Sequence, residues 1–221
     1  MQNQMKTSIR KNGERGNTMI EFAAVMPFWI TVLFGTVALG TNLTRTVQVV
    51  QVSRDLADMY ARGTDFSAAG FQNLITGANG SVSLVQGMDL LDTVANGNKN
   101  GTGNAVIYLS QVRHVTIGDA DCKTSCNNSG KDVFLNQVVF GDTSLYSSYL
   151  GPGPLASDLD SRLNTKNPTS QTGDQTNQAA LFASTMPGLG ATAYVVEVFV
   201  SSPDVSFLGF KKAGNYSRAV F

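Results

Sequence analysis

The chain has 221 residues, with 16 basic and 16 acidic side chains and one histidine, so its formal net charge is zero. That length holds one medium domain plus an anchor, or two small domains, and the neutral balance argues against a nucleic-acid binder, which needs a basic face. Charged residues make up only 14%, against a usual share of about 25%; with 22 glycines, this fits an exported, β-rich, loop-rich chain better than a cytosolic enzyme.

Residues 1–16 form a polar, basic leader carrying Lys6, Arg10, Lys11 and Arg15 against Glu14. From Met19 to Leu43 the sequence is apolar apart from a few threonines, glycines, Pro27, Asn42 and one carboxylate, Glu21. About 20 residues at 1.5 Å each cross a bilayer core, so this run predicts a single span. Basic residues before it place the N-terminus in the cytoplasm and the bulk of the chain outside. A cleaved secretory signal has a shorter apolar core and an A-x-A-like site; ALGTN at 38–42 is a poor one. Leu43, Val47, Val50, Leu56 and Tyr60 then continue at near-helical spacing among polar residues. The spacing therefore predicts one helix from Thr18 to Arg62, stopped by Gly63. Pro27 removes one backbone hydrogen bond and should kink it.

Gly16 followed by NTMIEF places Glu21 at the fifth position after a glycine that ends a short basic leader. This resembles the processing site of type IV prepilins. The longer stretch RGNTMIEFAAVMPFWITVLFGTVALG is similar to the TadE-like minor pseudopilins of the tight-adherence (Tad/Flp) pilus machinery, whose E-F-A-x-V-x-P pattern stands here as Glu21, Phe22, Ala23, Val25 and Pro27. The resemblance covers residues 15–60. It departs from many pilins at Asn17, which is polar where an apolar, N-methylated residue commonly begins the mature chain. The resemblance implies a cut between Gly16 and Asn17 by a prepilin peptidase. It also implies that Glu21 pairs with the new amino terminus of a neighbouring subunit, with Phe22 and Pro27 belonging to the assembly helix. Its implied partners are other pilin or pseudopilin subunits, an inner-membrane assembly platform and the lipid bilayer. Its implied location is the inner membrane, single-pass, with the C-terminal domain periplasmic or extracellular.

After Gly63 the pattern changes. Short helices are expected in 67–95 and a loop at 96–104, where the sequence is NGNKNGTGN. Alternating, β-branched runs at 105–117, 133–140, 193–200 and 215–221 read as strands. Residues 141–192 contain PGP, NPTSQTGDQTNQ and little periodicity, and read as a long surface insertion. The expected fold is α+β: a leader over 1–16, a helix and stem over 17–62, and a head over 63–221 in which an antiparallel sheet covers Val47, Val50, Leu56 and Tyr60.

Chemistry-bearing motifs are few. Cys122 and Cys126 in CKTSC read as a local disulfide in an exported chain. One histidine cannot complete an ordinary zinc site, and His114 between Val112 and Val115 reads as structural. No G-x-S-x-G elbow is present. Asp119 and Asp121 in GDADC give a faint calcium-loop pattern that lacks the glycine and distal glutamate, and a solvated turn is the stronger reading. No cofactor, metal or catalytic residue is expected. The functional expectation is a non-enzymatic pseudopilin. The alternatives are a signal-anchored adhesion or binding protein outside any filament, a secreted enzyme cleaved near Gly40, and an anchored sensor with a ligand pocket in its head.

Overall fold

The computed structural model describes residues 14–66, 104–119, 122–160, 162, 164–169, 192–201 and 214–221. The leader up to residue 13, the expected short helices in 67–95 and the loop at 96–103 lie outside the described residues. The elements are a helix α1 (Glu14–Ala61) and strands β1 (Ala105–Val115), β2 (Lys131–Gly141), β3 (Thr192–Ser201) and β4 (Gly214–Val220). Contacts divide the chain into two units, Met1–Thr41 and Asn42–Phe221.

Helix α1 begins four residues before the expected Thr18. The helix continues through Pro27. It ends as the sequence predicts: the Gly63 N–H donates to the Tyr60 carbonyl at 3.0 Å and the Thr64 N–H to Met59 at 3.1 Å. Gly63 adopts φ +84°, and this six-to-one and five-to-two pair of bonds is a Schellman cap, which favours glycine.

In the second unit the four strands form one antiparallel sheet ordered β2-β1-β3-β4. Alternation sorts each strand onto two faces. Ala105, Ile107, Leu109, Val138, Phe140, Val196, Val198, Val200 and Ala219 share one buried cluster with Val49, Leu56, Ala57 and Tyr60 of the helix and with Phe66. The helical residues recur at three- and four-residue spacing, so a single stripe of the stem meets the sheet. Leu56 and Tyr60 are buried as expected, at 6% each, and the stripe differs only nearer Val47. Val49 is fully buried, Val50 is half-buried and Val47 is 50% exposed. Apolar periodicity misjudged this part because the buried stripe there also carries polar residues. Thr46 Oγ1 donates to Asn215 Oδ1 at 2.8 Å, Asn215 Nδ2 donates to Asn42 Oδ1 at 3.0 Å, and the Ser53 and Ser217 hydroxyls meet at 2.7 Å.

The opposite face is covered by part of the expected surface insertion. Leu145 and Tyr146 pack on Val106, Tyr108, Val139 and Phe199, and Leu150 joins Val112, Phe134, Ala193 and Val195. The segment holds no regular element longer than a three-residue 3-10 turn at Ala156–Asp158 among its described residues. Yet Leu150 is fully buried, so its first third is a strap over the sheet and not a solvent loop. Irregular backbone hid this role, because two or three apolar anchors in a glycine- and serine-rich run carry no period.

Candidate functional site

The sequence motif lies in the first unit, on α1. Gly16 and Asn17 belong to the helix backbone, and Glu21 follows Asn17 by four residues, one helical turn. Glu21 is exposed, and so are Phe22 and Pro27. The Gly16–Asn17 peptide therefore lies in the first turn of α1, where terminal groups lack intrahelical partners and fraying is cheap.

Around that motif the helix is apolar on every side. Thirteen large apolar side chains between Met19 and Leu39 are exposed, among them the consecutive runs Phe28, Trp29, Ile30 and Val32, Leu33, Phe34. Three or more consecutive residues cover the whole circumference at 100° per residue. Leaving this surface in water forfeits on the order of 15–20 kcal/mol. That exceeds the net stability of an ordinary domain, about 5–15 kcal/mol, so the stretch requires an apolar surrounding. The helix is long and apolar enough to cross a membrane, with a mean hydropathy of 2.0 and none of that window buried. Its threonines fit such a medium. Thr31 Oγ1 donates to the Pro27 carbonyl at 2.9 Å, Thr36 Oγ1 to Leu33 at 2.9 Å and Thr41 Oγ1 to Ala38 at 3.0 Å. Each hydroxyl is satisfied inside its own helix, as a lipid-facing hydroxyl must be.

Cys122 and Cys126 stand at disulfide distance, with sulfurs 2.07 Å apart and Cα atoms 5.5 Å apart. They pack beside Val115 and Val133, closing the turn between β1 and β2. Asp119 of the calcium-like pattern is committed elsewhere: its carboxylate lies 3.0 Å from Arg113 and accepts the Thr116 N–H at 3.1 Å. Burial raises its pKa, but the Thr116 N–H and the Arg113 guanidinium together outweigh burial and hold it below the usual carboxylate value. Asp121 lies outside the described residues. His114 Nδ1 sits 2.7 Å from Asp132 Oδ1, and burial pushes the Asp132 carboxyl up while His114 opposes it. Among the described residues no group of three metal-ligating side chains occurs.

A constellation that sequence reasoning missed lies under the strap. Glu197 of β3 is 1% exposed. Its carboxylate accepts the Ser148 hydroxyl, the Tyr149 N–H at 3.0 Å and the Tyr216 hydroxyl at 2.8 Å. Tyr146 stacks on Phe199 at 5.2 Å between centroids and meets Tyr216 at 4.9 Å. Arg218 lies over the Tyr149 ring at 4.7 Å. The Tyr108 hydroxyl donates to the Tyr146 carbonyl at 2.7 Å, and burial, then Glu197, push its pKa up to about 12. These contacts tie the strap to β1, β3 and β4, so the arrangement acts as a fastener: one buried carboxylate met by three donors from two places, the strap and β4. The isolated charge in the run AYVVEVFV was the signal available for it.

No family model, curated protein or solved structure matches the chain.

Proposed function

We propose that the chain is a TadE-like pseudopilin, a non-enzymatic, single-span subunit that helps assemble a Tad (Flp) pilus or a related secretion apparatus. The observation that carries this reading is the helical stretch from Met19 to Leu39, apolar around its whole girth with one carboxylate, Glu21, a single turn beyond Asn17. A membrane anchor alone needs no such charge, which costs about 2.5–3.5 kcal/mol at a bilayer centre. A subunit that must prefer company does. A prepilin peptidase removes residues 1–16 at the cytoplasmic face and creates an amine at Asn17. In a neighbouring subunit that amine offsets the desolvation of Glu21. Phe22 and Pro27 belong to the same assembly surface, and the α+β unit after Thr41 is displayed on the periplasmic or outer side.

The experiment is a Glu21→Ala substitution in the native strain. The variant is expected to insert at wild-type levels and to lose co-purification with its pilin-like partners. Normal assembly of the variant contradicts the role given to Glu21, and loss of insertion contradicts the placement of the span.

A further inference from the structure

The two outer strands of the sheet differ at their edges. The outer edge of β2 is closed: the Thr165 N–H donates to the Leu135 carbonyl at 2.8 Å, Thr165 Oγ1 to the Phe134 carbonyl at 2.8 Å and Asn136 Nδ2 to Asn164 Oδ1 at 3.0 Å. The outer edge of β4 has no such cover among the described residues. The register fixes which groups are left there. Tyr194 and Phe221 exchange backbone bonds at 2.8 and 2.9 Å, and the pairing of β3 with β4 runs on from Val220 to Gly214. Antiparallel bonding alternates, so Asn215, Ser217 and Ala219 turn their backbone groups to β3. Tyr216, Arg218 and Val220 turn theirs outward, as an open template for another strand.

The side chains of the same three residues share one face. Tyr216 is 39% and Val220 41% exposed, and Arg218 is exposed as well. Beside them stands Tyr149 of the strap, 44% exposed, with the Arg218 guanidinium over its ring at 4.7 Å. A charge on an edge strand can serve only to repel other strands. Here it is drawn onto a ring and flanked by exposed tyrosines, and tyrosine and arginine are the residues enriched at contact surfaces. Arg218 forms no ion pair among the described residues. Glu197 faces it in the register, but that carboxylate is taken by Ser148, Tyr149 and Tyr216.

We propose that the outer edge of β4 receives an extended segment of another protein as an added strand, with a carboxylate beside Arg218 and β-branched or aromatic residues two positions to either side. Backbone bonds to Tyr216, Arg218 and Val220 supply the binding, and the alternate side chains supply the selection. The carboxylate answers Arg218, and the apolar residues pair with Tyr216 and Val220 across the strands. Among its described strands a second copy of this chain offers no match: β4 has no acidic residue, β2 is closed, and β1 and β3 are paired on both sides. The proposal stands apart from the pseudopilin reading, and either holds if the other fails.

The test is amide exchange and titration of the full chain in detergent, followed by backbone NMR. Without a partner, the amides of Tyr216, Arg218 and Val220 should exchange fast and those of Ser217 and Ala219 slowly. The probe is the capped heptapeptide Thr-Val-Thr-Glu-Thr-Val-Thr. It should bind saturably at about millimolar concentration or below and protect the three outward amides. Lysine in place of its glutamate should weaken binding about fivefold. Arg218→Glu should reverse that preference, which loss of folding alone would not do. No saturable binding, binding without protection of the three amides, or equal affinity for the glutamate and lysine peptides overturns the proposal. Protection that appears with chain concentration and no peptide also overturns it, by assigning the edge to a second copy.

Discussion

Ser53 of α1 and Ser217 of β4 share a 2.7 Å hydrogen bond between buried hydroxyls. Ser53 also reaches the Val50 carbonyl at 2.9 Å, so the two partners are not equivalent. Ser217→Ala leaves Ser53 a second bond and should cost about 0.5 kcal/mol. Ser53→Ala takes the partner from Ser217 and should cost about 1 kcal/mol, even after its small gain in helix propensity. The double variant should lose less than the sum. Denaturant unfolding of the three variants checks this, and strict additivity would mean that the two hydroxyls do not interact.

Glu197 sets a larger stake. Glu197→Gln keeps the shape but turns an acceptor into an amide that faces three donors. It should destabilise the folded unit by about 3 kcal/mol. Amide exchange should rise first in 145–151, the strap it fastens. Unchanged protection of Tyr149 would show that packing of Tyr146 and Leu150 holds the strap without the carboxylate.

The Arg113–Asp119 pair gives a pH dependence of definite sign. The Asp119 carboxyl is held below its unfolded value, about 3.9. A depressed carboxylate stabilises the fold above the unfolded pKa, and that contribution fades as pH falls through the folded one. The wild type should therefore keep this contribution down to about pH 4. Asp119→Asn should lose about 2–3 kcal/mol at neutral pH and converge with the wild type in stronger acid. Parallel stability curves for the two proteins across the acid range would contradict the assignment.

Cys122 and Cys126 enclose a short loop, and a bridge over five residues contributes about 2 kcal/mol in the loop-entropy account. Protein isolated from the cell envelope should resist alkylation at both positions until a reductant is added. Its melting temperature should then fall without loss of β structure. Free alkylation of either thiol before reduction would rule out the bridge.

Much of this architecture was legible because it depends on local rules. The four strands appear within two residues of their expected bounds because β-branched alternation specified them. Gly63 stops the helix because only its backbone freedom suits the cap. Leu56 and Tyr60 were legible on the covered face of the stem, but the part near Val49 was not. Asn42, Thr46 and Ser53 occupy the covered stripe beside Val49, and a search for apolar periodicity passes over polar residues whose partners lie about 170 residues away. The strap was hidden because its few apolar anchors, Leu145, Tyr146 and Leu150, carry no period. The helical motif around Glu21 was visible throughout, since its meaning rests on contiguous residues.

The central claim is that the chain is processed as a prepilin, and the terminus of the mature protein tests it most directly. The Gly16–Asn17 peptide lies in the first turn of α1. N-terminal sequencing of protein taken from the native membrane should begin at Asn17. A Gly16→Leu variant should keep its leader, because a bulky side chain does not enter a groove shaped for glycine. A mature chain that begins at Met1, or near Gly40, would contradict the pseudopilin assignment.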